Sequence, residues 1–209
     1  IAVNPLRYQK VTPEQVKEHM KSYEGTKITD MPPHPYGLAE MSYSQMLTSR
    51  TLGNIENQSM VISGESGAGK TETFKRVIQY ISFATSAMGG GSSLALPTGA
   101  APQTMKAVEQ LLVETVPVLE SFGNASTVHN PNSSRFGKFV VLHFDASAQG
   151  GALHSVSVRT YLLEKTRVVR QGPMERNYHI FYMMCVGASE EEKQKARDER
   201  KARIRAARA

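Results

Sequence analysis

The chain has 209 residues with a net charge of +6 and a single cysteine, Cys185. It is long enough for a real hydrophobic core, and one cysteine excludes an internal disulfide framework, which fits a reducing, cytosolic setting. Residues Ser189 to Ala209 carry eight Lys/Arg against five Asp/Glu, 8 − 5 = +3, so half of the excess lies in the last tenth of the chain, and the remainder is too weakly basic to mark a specific nucleic-acid binder. No apolar run is long enough to span a bilayer, there is no signal peptide, and a start at Ile1 rather than Met suggests a fragment.

The first predicted element is "TPEQVKEHMKSYEG", a helix with Thr12 as cap, Pro13 at the first helical position and Gln15 completing a capping box. Val16, Met20 and Tyr23 fall on its inner face, and Gly25 ends it. "MPPHPYGL" reads as a Pro-rich connector biased away from helix. A short helix over "AEMSYSQMLTSR" follows, with Met41, Gln45 and Thr48 on one side and Tyr43, Met46 and Leu47 on another.

"SMVIS", Ser59 to Ser63, is brief, apolar and β-branched, and reads as a buried strand. It runs into "GESGAGKT", which fits the phosphate-loop pattern G-x-x-x-x-G-K-[ST]. Backbone N–H groups of such a loop form an anion nest, and the helix that follows adds its positive N-terminal end. Gly64, Gly67 and Gly69 permit the turn, Lys70 reaches the β- and γ-phosphates, and Thr71 offers a hydroxyl to Mg²⁺. Beyond the loop, Phe74, Val77, Ile78 and Ile81 make a helical stripe.

Met88 to Gln103 is rich in Gly, Ser, Ala and Pro and reads as a mobile surface loop. A long helix over "MKAVEQLLVETVPVLESFG" follows, its apolar face made by Met105, Val108, Leu111, Leu112 and Val116, bent or ended by Pro117. "FGKFVVLHF" and "SVSVRTYLLEKTRVV" are strand candidates joined by the Gly-rich "DASAQGG", as in a long hairpin. "MERNYHIFYMM" reads as a helix, with His179 as a core or interface histidine. Cys185 and most of the ten Met residues read as buried fillers. His34, His129 and His143 lack metal-ligand spacing. The tail "SEEEKQKARDERKARIRAARA" opens with a Ser189/Glu192 capping box, carries Glu191–Lys195 and Glu199–Arg203 pairs, and has Ile204 as its only large apolar residue. It reads as a solvated polar helix.

"NPNSSRFGKF", Asn130 to Phe139, places two hydroxyls and an arginine before a strand. One serine suits Mg²⁺, another an attacking water, and an arginine suits closure over a γ-phosphate. Alone the triplet is also read as a polar turn with an Asn-Pro signal. Taken in order, "GESGAGKTE", "LESFGNASTVHNPNSSRFGKF", "YLLEKTRVV" and "ERNYHIFY" resemble the myosin motor head, over most of Ile1 to Ala188.

The resemblance implies an α/β, P-loop NTPase-like three-layer sheet with flanking helices, incomplete relative to a full head. It divides the chain into a partial motor, 1–188, and a charged helical or disordered tail, 189–209. It implies ATP/ADP and Mg²⁺ as ligands, with Gly64, Glu65, Ser66, Gly67, Ala68, Gly69, Lys70 and Thr71 as the phosphate loop. Asn130, Asn132, Ser133, Ser134 and Arg135 resemble switch I. There Asn130 and Asn132 stand on the nucleotide side, Ser133 positions the lytic water, and Ser134 joins Thr71 on Mg²⁺. Lys70, Ser133 and Arg135 form the catalytic group. Asn4 and Pro5 resemble the adenine-side loop.

The family pattern has a tyrosine where Val11 stands and a flexible residue where Pro131 stands; the proline stiffens that turn and removes an N–H donor. No D-x-x-G-F-E type switch II follows Ala188. Glu120 and Glu164 lie in other motifs, so Arg135 is expected to lack a partner within the chain, and the strand before the phosphate loop to have an exposed edge. For a complete head the resemblance implies actin filaments as partner, a cytoplasmic place on the actin cytoskeleton, and MgATP hydrolysis driving movement. No IQ motif calls for light chains. The alternatives are a fragment that holds nucleotide without hydrolysing it, and a truncated product without function.

Overall fold

The computed structural model describes residues 10–54, 56–87, 108–145, 151 and 153–206. Asn4, Pro5, the Gly-rich segment 88–103 and Met105 lie outside the described residues. The rest falls into two compact units, Ile1–Val116 with Lys138–Thr160, and Pro117–Gly137 with Tyr161–Ala209.

In the first unit, helix α1 spans Pro13–Tyr23 and begins as its cap predicts. Gln15 N–H donates to Thr12 Oγ1 at 3.3 Å, and Thr12 N–H donates to Gln15 Oε1 at 2.9 Å, so two orphan amides are satisfied reciprocally. Met20 and Tyr23 are buried, Val16 packs beside them, and Gly25 takes the left-handed conformation that a side chain resists, with φ +68°.

Helix α2 spans Pro35–Thr51, one turn longer at its start than the connector reading allows. Pro35 sits at the first helical position, and His34 serves as cap, its Nδ1 accepting the Tyr36 N–H at 3.1 Å. Burial, then the positive fields of His19 and Arg76, push the His34 imidazole down to about 4. The unfolded chain takes up this proton near the ordinary histidine value, whereas the folded chain resists it to about pH 4. Stability from this site is therefore full above pH 6.5 and is lost as pH falls toward 4, by at most about 3 kcal/mol and less where solvent screens this half-buried ring. Thermal melts across that window check this. His34→Asn keeps a capping acceptor and is expected to flatten the dependence.

Helix α3 spans Lys70–Ala87. Val77, Tyr80, Ile81 and Ala84 face α1 and α2, where they meet Tyr36, Ala39 and Tyr43. Ile78 joins Leu153, with Phe74, Leu142, Phe144 and Val156 packed around them. Strands β3 (Gly137–Phe144) and β4 (Leu153–Tyr161) supply those last residues, and the two are hydrogen-bonded neighbours. Arg50 donates to the Asp145 carbonyl at 3.2 Å and Tyr43 to the Gly151 carbonyl at 3.3 Å, so α2 holds both ends of their connection. β4 ends at Tyr161, well before the expected Val169; Leu162 follows with φ +56°, which breaks the extended run.

Residues 59–63 form no strand, and Val61 is 91% exposed. A strand exists only by pairing, and among the described residues none pairs with this segment. The expected three-layer sheet is correspondingly represented by two two-stranded pieces.

In the second unit, α4 (Val108–Gly123) contributes its last turns. Pro117 lies inside this helix rather than ending it. A Cβ at Gly123 would overlap the Phe136 ring, so only glycine fits there. β1 (Asn124–Ala125) pairs antiparallel with β2 (Ser133–Ser134), and Ala125 bridges Tyr178 on its other side. A 3₁₀ turn covers Lys165–Val168, and α5 (His179–Gly187) starts later than expected.

α5 buries no residue: Cys185 is exposed, and Met183 and Met184 are too, which corrects their reading as fillers. A helix apolar on all sides needs cover on all sides, and the described residues of its unit leave these positions open. α6 (Glu190–Ala206) also buries none. Its capping box is formed, with Ser189 N–H donating to Glu192 Oε2 at 2.8 Å and Glu192 N–H to Ser189 Oγ at 3.2 Å. Its ion pairs run Lys193–Glu190 and Lys201–Asp198, at i,i+3 spacing. Among the described residues, no helix is long and apolar enough to cross a membrane.

Candidate functional site

The predicted phosphate loop opens α3, whose first helical residue is Lys70. Gly67 and Gly69 hold φ +83° and +96°, a conformation that keeps N–H groups on the inner side of a turn and is costly for any side chain. A Cβ on Gly64 would press on Ala68 Cβ at 3.4 Å, inside the loop. Ala68 N–H donates to the Glu65 carbonyl at 3.2 Å and Thr73 N–H to the Gly69 carbonyl at 2.9 Å, closing first the loop and then the helix. Lys70 Nζ lies over the loop mouth and donates to the carbonyls of Gly64 at 2.6 Å and Glu65 at 2.8 Å. Thr71 follows in the first turn, half-buried, while Glu65, Ser66, Gly67 and Ala68 are exposed. A loop with this backbone, a cation over it and a hydroxyl one residue on suits a magnesium-bound phosphate chain.

The second constellation belongs to the other unit. In β2 the two serines face opposite ways, as alternation in a strand demands. Ser133 is 2% exposed and its Oγ accepts from Arg135 at 3.3 Å, whereas Ser134 is exposed. The loop between β1 and β2 is tied internally. Thr127 donates its N–H and its hydroxyl to the Asn130 carbonyl at 2.9 and 3.1 Å, and Asn130 Oδ1 accepts the Asn132 N–H at 2.9 Å across Pro131. Asn132 Oδ1 accepts from Asn124 at 3.1 Å and lies 3.0 Å from His179 Nε2, and its amide donates to Glu120 at 3.2 Å. His179 is thus half-buried and bound to this loop.

Arg135 has a partner, contrary to the expectation from sequence. Its Nε donates to Glu164 Oε2 at 2.5 Å. The same oxygen accepts from Arg167 Nε at 2.8 Å, and Glu164 Oε1 accepts from Arg167 at 3.2 Å. Arg167 is buried and also meets Glu175 at 2.9 Å and the Arg176 carbonyl at 3.1 Å. The Arg167 hydrogen bond is the main cause that holds Glu164 below the usual carboxylate range; burial opposes it and Arg135 adds to it. Glu175 is lowered by Arg167 in the same way. Sequence reasoning missed the Arg135 partner because Glu164 lies 29 positions further on, although Glu164 and Arg167 themselves stand only three residues apart. Of the predicted site residues, the structure brings Asn130, Asn132, Ser133, Ser134 and Arg135 together in one unit and Gly64 to Thr71 in the other.

The myosin head (motor domain) family matches residues 1–203. The chain is 44% identical to Myosin-8 of Arabidopsis thaliana, with 92% of this chain and 11% of that protein covered. It is 42% identical to the Myosin-J heavy chain of Dictyostelium discoideum, over 93% of this chain and 9% of that protein. To Myosin-14 of Mus musculus it is 40% identical, over 91% and 9%. The chain spans about a tenth of the length of the curated relatives it matches.

Proposed function

The chain belongs to the myosin head (motor domain) family, and we propose that it is the MgATP-binding part of an actin-based motor. The observation that carries this is the loop Gly64 to Thr71, with its positive-φ glycines and Lys70 at the start of α3. The loop amides and the positive end of α3 hold phosphate oxygens. The Lys70 ammonium leaves the carbonyls of Gly64 and Glu65 for the terminal phosphates. On the family pattern, Thr71 and the exposed Ser134 would each offer a hydroxyl to Mg²⁺, Ser133 would orient water, and Arg135 would balance charge on the γ-phosphate side. On the same pattern, Asn4, Pro5, Asn130 and Asn132 would have nucleotide-side roles. Bound MgATP supplies the phosphoanhydride whose hydrolysis drives a motor cycle.

Family membership supports the finer reading. In it, residues 59–63 become a strand of a larger P-loop sheet when flanking strands are present. The division into a motor portion, 1–188, and a solvated extension, 189–209, agrees with an α6 that buries nothing, although the family match itself runs on to residue 203. Actin filaments are the partner, and the place is the cytoplasmic actin cytoskeleton. A second reading, a chain that holds MgADP without turning ATP over, is favoured by residues 59–63, which are mostly exposed and form no strand with any of the described residues.

Lys70→Ala is expected to weaken MgADP binding by on the order of a hundredfold, since a charge-assisted contact to phosphate is lost. An equilibrium titration with a fluorescent ADP checks this. Equal affinity of the two proteins would remove the loop from the account.

A further inference from the structure

We propose that Glu164 is a positioning residue for segment 130–135, acting through Arg135. The proposal rests on reading that segment as the γ-phosphate side of a nucleotide site, and its structural half is testable without nucleotide.

Glu164 grips Arg135 twice. Its backbone N–H donates to the Arg135 carbonyl at 3.0 Å, and its Oε2 accepts from the Arg135 guanidinium. Glu164 is itself fixed from behind. Its carbonyl accepts the Tyr178 hydroxyl at 2.7 Å, and both carboxylate oxygens are held by Arg167, which is 4% exposed. Order thus passes in one direction. The buried Arg167 and Tyr178 fix Glu164, Glu164 fixes the Arg135 guanidinium, and that guanidinium fixes the buried Ser133 hydroxyl. The Arg135 N–H also donates to the Gly123 carbonyl at 2.9 Å, a backbone bond that the fixed guanidinium helps to keep closed.

The carboxylate's charge is essential to this geometry. Oε2 stands between two guanidinium groups, which repel each other without a negative charge between them. A neutral amide of the same shape at position 164 preserves volume and loses that function. An isolated pair with both side chains about a third exposed would count for little. This pair differs because Glu164 is preorganised by the buried Arg167 and pays no further ordering cost when it binds Arg135.

The test uses the full chain, with amide hydrogen exchange read in peptides covering 124–135 and 70–81. Glu164→Gln is expected to speed exchange in 130–135 by about tenfold while 70–81 is unchanged. Arg135→Gln should give the same local effect, and the double variant should add nothing to either single one. Arg135→Gln leaves the Glu164–Arg167 pair intact, so it decides the matter if Glu164→Gln does not fold. Unchanged exchange, additive effects, or equal acceleration in both peptides would overturn the proposal. The second reading is MgADP dissociation, expected to be several-fold faster in Glu164→Gln and restored in Glu164→Asp. Tight binding with an unchanged dissociation rate would also overturn it. The local exchange effect in the variants, together with a wild-type chain that binds no MgADP, would overturn the nucleotide reading and leave the Glu164–Arg135 link standing.

Discussion

Arg167→Ala is expected to lower the stability of its unit by about 2–3 kcal/mol, because it removes the buried cation that joins two partly exposed carboxylates and a backbone carbonyl. The Arg167 side chain is 5% exposed and serves Glu164, Glu175 and the Arg176 carbonyl together. Lysine does not rescue it, since one ammonium lacks the planar fork that reaches acceptors on separate segments. Denaturant titration of Arg167→Ala and Arg167→Lys checks this, with the exposed Arg159→Ala as a control expected to change little. The pH dependence carries the same signature. Arg167 holds the folded-state values of Glu164 and Glu175 below those of the unfolded chain. Their contribution is therefore present above the ordinary carboxylate range and is lost as pH falls through their folded values. In Arg167→Ala that part of the acid sensitivity should vanish. If the variant melts and titrates as the wild type does, the network contributes nothing.

Tyr80→Ala is the second large effect, expected at about 3–5 kcal/mol. Tyr80 is fully buried, and its ring lies 5.6 Å from that of Tyr36 and 6.1 Å from that of Phe83. Its hydroxyl donates to Glu40 Oε2 at 2.9 Å, while Glu40 Oε1 accepts from Gly25 N–H at 3.0 Å and from Ser44 at 3.2 Å. One carboxylate thus joins the end of α1, the middle of α2 and the middle of α3. Burial and the Glu40 bond raise the Tyr80 phenol above its ordinary value, so it stays a donor at any working pH. Tyr80→Phe separates the two parts: it keeps the ring and removes one donor from a buried carboxylate, at about 1–3 kcal/mol. A Phe variant as damaged as the Ala variant would assign the whole effect to the hydrogen bond rather than to packing.

Local chemistry was legible in the sequence, and long-range pairing was not. Thr12, Pro13 and Gln15 predict the start of α1 because all the groups that satisfy its first amides lie within four residues. The same holds for Ser189 and Glu192 at α6. The phosphate loop is legible for a related reason: its glycines and Lys70 bond to one another within a few positions. α2 began a turn early because histidine is an uncommon cap, and only the surroundings of His34 make it one. Residues 59–63 carry strand-forming side chains, but pairing is a property of neighbours that are distant in sequence. Cys185, Met183 and Met184 look like core residues by type, yet type alone does not supply a covering layer. The second constellation was legible in its hydroxyls and arginine. The carboxylate that orients Arg135 lies 29 positions further on, in a stretch that reads as strand.

The central claim is that this chain assembles its phosphate loop around a magnesium-bound nucleotide. A thermal melt of the purified chain, with and without excess MgADP, tests it most directly. At about a hundred times its dissociation constant the ligand adds roughly 2.7 kcal/mol, and the account predicts a single cooperative transition that moves up by several degrees. A cooperative transition that MgADP leaves in place would contradict it.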